Sequence, residues 1–459
     1  MHESERRTNW VGIGLLCVLL CLLIAHCASI VILDGKLQPR LSAIKAGGKP
    51  MSFADYANIR IPPYENAATI YDQAFQLVDG PDASTDLGTL GKFLQTSERK
   101  ADPKLWDQAR QILPKYGKAI SLVEQATLRP RCWFDTNWQA GAGTVFPHYS
   151  KLRKLSQLLA ADAILKARDG KQDEALHSVY LGVKMANAAK DEPTMIGFLV
   201  RAAQMKMSTR SLRAVLEYGD ISETQAARIY RTLAEADLGP SFVKAMEGER
   251  AMGLWAFDEA RRNPAMLRSF TSSSGNGQNS PGWQVLGYAW RPVLNKDEMY
   301  FLDYWDRYLK RVDLPWRVVQ AQPGQSDPEP EFPRYAILSN VVCPLFGRAR
   351  LARDELIAET AGAQIVLALK VYNGRYGSYP SSLKELRSRV GWKILPDPFS
   401  GKDFVYRQEK HGFVLYSLGE NLLDDGARTF PKSAASTQSS RYTDQDGQPT
   451  LDITWRMSR

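Results

Sequence analysis

The 459 residues are 44% hydrophobic and 24% charged, a balance that supplies material for folded cores and excludes a chain that is disordered throughout. The net charge of +9 is spread along the chain, not gathered in a basic block, which argues against nucleic-acid binding and leaves anionic lipid or wall polymers as the partners such a charge would favour. A chain of this length suggests about two to three domains.

Residues 1–9 form a short N-terminal tail. Trp10 to Leu33, WVGIGLLCVLLCLLIAHCASIVIL, is 24 residues without Asp, Glu, Lys or Arg, longer than the ~20 apolar residues that carry a helix across hydrocarbon. The run over 10–33 predicts one transmembrane helix, so the membrane is the first expected partner. A cleaved signal peptide has an apolar region of about 7 to 15 residues and a small-residue cleavage site. Ala25-His26-Cys27-Ala28-Ser29 matches that poorly, and His26 stands where a lipoprotein signal before Cys27 carries a small residue. His26 lies near enough to the end of the run for its ring to reach the interface.

Arg6 and Arg7 precede the run, and Lys36, Arg40, Lys45 and Lys49 follow it. By the positive-inside rule those charges favour a cytoplasmic body, which would suit a basic adaptor. A very short tail before one early apolar helix is instead the form of an uncleaved export signal. We therefore expect a single-pass cell-membrane protein with an extracytoplasmic body. Cys17, Cys21 and Cys27 lie in the run, leaving Cys132 and Cys343 in the body. In an exported protein these two would either pair or stay as separate buried thiols.

Residues 34–50 read as a polar juxtamembrane connector that ends in a hinge, Gly47-Gly48-Lys49-Pro50. Residues 51–265 read as a helical body. Ala67, Ile70, Tyr71, Ala74, Phe75 and Val78 recur at helical spacing, Gly80-Pro81 stops that helix, and a polar loop follows. Pro103 to about Leu128 is helical with an interruption near Pro114. Leu152, Leu155, Leu158, Leu159 and Leu165 share a stripe, Asp169-Gly170-Lys171 turns the chain, and Leu176, Val179, Tyr180 and Val183 make a second stripe, together a helical hairpin. Another helix starts near Glu192-Pro193 and reaches about Tyr218-Gly219. Ser222-Glu223-Thr224-Gln225 has the spacing of a capping box, and Gly239-Pro240 introduces a helix through about Arg262. No repeat with a period of about 34 residues is sustained.

Residues 266–349 read as a loop-rich connector with one helix. Ser269 to Gly282 is a loop by composition, without the Gly-Lys-Ser/Thr ending of a phosphate-binding loop. Lys296 to about Val312 is helical, with Met299, Leu302, Trp305 and Leu309 on one side. Its Asp303, Asp306 and Asp313, interleaved with Arg307, Lys310 and Arg311, read as a solvated, ion-paired face. Gln320 to Pro333 carries Pro323, Pro328 and Pro330 and reads as a stiff linker.

In residues 350–459 the pattern changes. Arg350 to Tyr372 is a helix with Ile357, Ala361, Ile365, Leu369 and Tyr372 in register, stopped by Asn373-Gly374. Phe404 and Tyr406, then Phe413 and Leu415, alternate at period two around Lys410-His411-Gly412, which predicts an antiparallel hairpin packed on that helix. A final strand spans Thr450 to Trp455. The fold class is thus mainly α with a small α+β C-terminal module.

The run LKVYNGRYGSYPSSLKEL, then LPDPFSGKDFVYR, then GFVLYSLGENLLDDG, resembles the C-terminal half of type II secretion major pseudopilins over about residues 350–428. The resemblance implies a long helix, a short helix, a loop and a closing β-hairpin in a protein of the bacterial envelope. It also implies calcium, the one cofactor suggested, after Tyr-Ser-Leu-Gly. Asp424 and Asp425 match the family's acidic pair, and Asn421 and the carbonyl of Leu418 would complete an oxygen set of the kind Ca²⁺ prefers. The same residues would also stand as an Asp-Asp-Gly turn capped by its own backbone. The family's Phe-Thr-Leu-Ile-Glu-like start is absent and the membrane segment lies far upstream, so polymerisation is not implied. Asp444-Gln445-Asp446-Gly447 has the start of a calcium loop, but Trp455 occupies the position of the bidentate Glu, which makes a turn the better reading.

The chain contains no HExxH, CxxC, GxSxG, P-loop or Rossmann pattern. His148, His177 and His411 have no partner at helical spacing. Cys132-Trp133-Phe134-Asp135 with nearby His148 is the one combination that suggests thiol chemistry, and a cysteine among aromatics predicts a core position. These features lead to a membrane-anchored, non-enzymatic interaction or scaffold protein of the bacterial envelope with an unidentified protein partner. The alternative is an envelope hydrolase whose site combines scattered Asp, Glu and His residues between the helical body and the C-terminal module.

Overall fold

A computed structural model describes residues 2–96, 102–264, 281–321, 332–343, 346–428, 442–443, 449–450 and 452–458. The chain is 71% helical, with one apolar N-terminal helix and a small three-stranded antiparallel sheet near the C-terminus. That is the mainly α fold with a small α+β end that the sequence predicts.

The first helix, α1 (His2–Ala46), is long and apolar enough to cross a membrane. Gly12 to Ala25 stand exposed, clear of the body. The connector expected at 34–50 is instead mostly helix, because α1 continues to Ala46 before Gly47 and Gly48 (φ 67°) end it. His26, Ile30, Leu33, Asp34, Leu37, Leu41 and Ile44 fall at three- and four-residue spacing and are shielded relative to their neighbours. Leu37 is fully buried. A polar-looking sequence is helical here because one stripe of it meets an apolar partner.

The body begins with α2 (Ala68–Leu77), α3 (Pro81–Thr96), α4 (Pro103–Ile112) and α5 (Gly117–Thr127). Gly80-Pro81 closes α2 as expected but also opens α3, where a loop was expected, since proline's missing N–H is harmless in a first turn. Pro114 marks a short 3₁₀ turn, Leu113–Tyr116, between α4 and α5. The predicted hairpin is α6 (Pro147–Arg168) and α7 (Gln172–Ala188). Gly170 turns it with φ 77°, and Lys171 N donates to Lys166 O at 2.9 Å, the long bond of a Schellman motif. Then come α8 (Met195–Tyr218), α9 (Glu223–Ala234) and α10 (Leu238–Arg262). The capping box that opens α9 is formed: Gln225 N donates to Ser222 Oγ and Ser222 N to Gln225 Oε1.

The stretch expected to hold one helix holds three among the described residues: α11 (Pro281–Leu309), α12 (Trp316–Gln320) and α13 (Ile337–Val342). Most of the expected loop, 269–280, lies outside the described residues, as do 322–331 of the proline linker and Asp444–Gly447. Asp303 and Asp306 pair with the anchor: Arg40 donates to Asp303 Oδ1 and Asp306 Oδ2, each at 2.7 Å.

The last part is α14 (Phe346–Tyr376) and α15 (Leu383–Val390), then β1 (Val405–Glu409) and β2 (Gly412–Ser417), the short pair β3 (Tyr442–Thr443) and β4 (Pro449–Thr450), and β5 (Ile453–Ser458). Asn373-Gly374 does not stop α14; it runs one turn further, to Gly377 at φ 72°. The sheet order is β1-β2-β5, antiparallel, with Tyr406 opposite Leu415 and Leu415 opposite Trp455. Phe413, Leu415, Trp455 and Met457 face α14, while Val414 and Tyr416 form a small patch with Ala427 on the other face. A Cβ on Gly362 would meet Trp455 Cζ2 at 2.2 Å, so the missing side chain lets α14 lie against β5.

The apolar core has two main parts. One joins α2 to α6, with Leu181, Met185 and Ala214 added. The other runs from Leu37 through α7 to α11 and α14 into the sheet. The C-terminal strands and α1 therefore share one core.

Candidate functional site

Two motifs quoted from the sequence meet at Asp397. Its buried carboxylate accepts from Phe399 N (3.1 Å), Ser400 N (3.1 Å) and Ser417 Oγ (2.6 Å), and its backbone closes the turn with Gly401 N and Lys402 O. The Asp-Pro-Phe-Ser-Gly loop is thereby tied to the end of β2. An Asx turn is the ordinary use of an aspartate before proline. Here it also fixes the direction in which the chain leaves β2 for residues 418–428. Trp316 Nε1 donates to Glu420 O at 3.0 Å and holds that loop from the side of α12.

Within the loop, Leu418 and Asp425 are half-buried and Asn421 and Asp424 exposed. Asp424 Oδ1 accepts from Tyr416 OH at 2.8 Å and from Gly426 N at 2.9 Å. Asn421 Nδ2 donates to Asp425 Oδ2 at 2.7 Å, and Leu423 N donates to Asn421 Oδ1 at 3.1 Å. Asn421 and Asp425 are thus drawn together, whereas Asp424 accepts from Tyr416 and Gly426. Leu422 and Ala427 sit at φ 59° and 55°, left-handed backbone that costs a side-chain-bearing residue about 1–3 kcal/mol.

Asp452, just before β5, was not singled out by the sequence. It is fully buried, its Oδ2 accepts from Ala427 N at 2.8 Å, and its Oδ1 has no hydrogen-bond partner. Burial, with the charges of Asp425 and Asp424, pushes its carboxyl up to about 6. The signal that could have found it is an Asp inside the otherwise strand-like LDITW. Among the described residues no group of three or more His, Cys, Asp or Glu is placed to hold a metal ion. A calcium ion would instead draw on the oxygens of Asp424, Asp425, Asn421 and the Leu418 carbonyl.

The thiol–imidazole combination is part of the packing. Cys132 is 5% exposed, and burial together with Glu192 and Asp72 pushes its thiol well above the usual range, which keeps it protonated and unreactive. His148 stacks on Phe134 with ring centroids 4.3 Å apart, and its Nε2 lies 3.3 Å from Glu192 Oε1. Tyr149 OH donates to Glu192 Oε2 at 3.0 Å. His177 pairs with Glu124 at 2.9 Å, and His411 is exposed in the β1–β2 turn. Cys132 and Cys343 are both free thiols, and burial raises Cys343 as well.

The chain matches no protein-family model, no curated protein and no solved structure.

Proposed function

We propose that this chain is a membrane-anchored, non-enzymatic interaction or scaffold protein of the bacterial envelope. Its body is extracytoplasmic, and its C-terminal module is pseudopilin-like and takes calcium in the loop of Asp424 and Asp425. The observation that carries the reading is the continuity of α1. The helix passes without a break from its exposed apolar stretch into the shared core at Leu37, so the body is held at a fixed attitude to the anchor, not tethered by a flexible linker. A rigid attitude suits a protein that presents a surface at a set distance from the membrane. The meeting of the two quoted motifs at Asp397 supports the pseudopilin-like part, and the pairing of Asn421 with Asp425 beside Asp424 in one short loop supports calcium.

The test uses the full chain in cells with a photocrosslinking amino acid at exposed Leu423 or Tyr376, and protease treatment of spheroplasts. A discrete envelope-protein adduct together with digestion in intact spheroplasts is expected. Protection until lysis, or no adduct from either position, overturns the reading. Calcium is expected to raise the melting temperature of the full chain in detergent, and the shift to vanish in Asp424→Asn and Asp425→Asn.

A further inference from the structure

The N-terminal turns of α11 lie beside the last turns of the apolar run. The two helices pair in the same direction. His26 Nε2 is 3.1 Å from Tyr288 O, Asp34 Oδ1 accepts from Asn295 Nδ2 at 2.7 Å, and Arg40 reaches Asp303 and Asp306. Each step up α1 is matched by a similar step up α11, so depth along one helix sets depth along the other.

That depth follows from helix geometry. The 24 apolar residues span ~36 Å at ~1.5 Å per residue, against a hydrocarbon thickness of ~30 Å. The excess of ~6 Å is about four residues. Even if all of it is assigned to the C-terminal end, the hydrocarbon reaches Ser29, one turn past His26. Tyr288, in contact with His26 and Cys27, then stands at or below the hydrocarbon edge.

The residues of α11 change character at this level. The sequence has no Asp, Glu, Lys or Arg from Pro281 to Trp290. Tyr288 is 50% exposed and Trp290 43%, and Val293 is also exposed, whereas Leu294, Asn295, Asp297 and Glu298 beyond them are buried in the body. Aromatic rings with a polar edge concentrate where headgroups meet acyl chains. Arg291, half-exposed and 3.9 Å from Asp34, sits just above, where cations face headgroup phosphates.

We propose that Tyr288 and Trp290 of α11 are a second membrane contact, seated at the headgroup–acyl boundary of the leaflet from which α1 emerges. The contact commits the exposed aromatic face to lipid and fixes the tilt of α1 and the body together against the membrane plane, which a lone helix leaves free. It rests on reading α1 as a membrane span.

The test places one nitroxide at a time, as Ile24→Cys, Trp290→Cys or Leu128→Cys, in the full chain with its native cysteines replaced. The protein is reconstituted in phosphatidylethanolamine–phosphatidylglycerol vesicles, and accessibility to oxygen is compared with accessibility to a water-soluble nickel chelate. Leu128 is 79% exposed and serves as the aqueous reference. The label at 290 is expected to read between those at 24 and 128. A reading at 290 as aqueous as at 128, with 24 deep, overturns the proposal and leaves the span standing. An aqueous reading at 24 overturns both. Crosslinking of Cys27, kept as the one native thiol, to Tyr288→Cys by a short bismaleimide confirms that the paired helices are intact, and its absence also overturns the proposal.

Discussion

The side-chain amide of Asn295 donates to Asp34 Oδ1 at 2.7 Å across 261 positions of sequence. Asp34 is the first charged residue after the apolar run, and Asn295 also accepts from Arg261, which pairs with buried Glu298. One polar chain thus joins α1, α11 and α10 inside an otherwise apolar packing. Asn295→Leu leaves Asp34 and Arg261 each short of a partner and is expected to destabilise the full chain by about 1–3 kcal/mol. Denaturant unfolding in detergent, followed by near-ultraviolet circular dichroism, measures it; a change within a few tenths of a kcal/mol would show that water replaces the amide.

Arg201 is buried without a carboxylate. It donates to Ala186 O at 3.1 Å, Asn187 Oδ1 at 3.3 Å, Ser241 Oγ at 2.7 Å and Ala236 O, and burial lowers its guanidinium to about 10. Ala186, Asn187 and Ala236 lie at the C-terminal ends of α7 and α9, where the helix dipoles favour a cation, and Ser241 lies in the first turn of α10. Arg201→Met is expected to cost about 1–3 kcal/mol by orphaning these acceptors. Arg201→Lys is expected to recover little, since an ammonium cannot replace the planar fork. Equal stability of the Lys variant and the native chain would rule this account out.

Gly362→Ala drives a methyl into Trp455 of β5. Overpacking of this kind costs about 1–3 kcal/mol. The expected result is a lower melting temperature with a shifted Trp emission. The neighbouring Ala361→Gly removes a buried methyl and also lowers helix propensity, the latter by about 1 kcal/mol.

Asp452 gives a pH dependence. Its folded carboxyl titrates at about 6, an unfolded one near ~3.9. The native chain holds the proton more tightly, so this contribution is full below about pH 4 and is lost as pH rises through about 6, by about 2–3 kcal/mol in all. Asp452→Asn stays neutral and can still accept from Ala427 N. It is expected to be the more stable form at neutral pH and to flatten stability between about pH 4 and 7. Urea midpoints across that range decide the matter: an unchanged slope in the variant assigns the titration to another group.

Elements whose large apolar residues recur on one face left a period in the sequence. The leucines of α6 and α7 and the strand alternation around Lys410-His411 could be read for that reason, and the Ser222 capping box because its bonds are local. The continuation of α1 past Asp34 could not, because its stripe through Leu37 counts as apolar only once α11 is known to lie beside it. The start of α3 was hidden by Gly80-Pro81, which ends one helix and opens the next. In the acidic loop Asn421, Asp424 and Asp425 are pointed to by the pseudopilin resemblance, and their bonds are local to the loop. Asp452 approaches it from β5, and only the fold brings the two together.

The 263 positions between Arg40 and Asp303 also order the protein's birth. At about 5–20 residues per second, synthesis leaves the anchor waiting on the order of 10–50 s for the helix that covers its stripe. During that interval Leu37, Leu41 and Ile44 stand uncovered by α11. Final docking of the body is therefore a late event in synthesis, and a product interrupted before Pro281 would carry a complete α1 with no mate, its apolar stripe open to quality control.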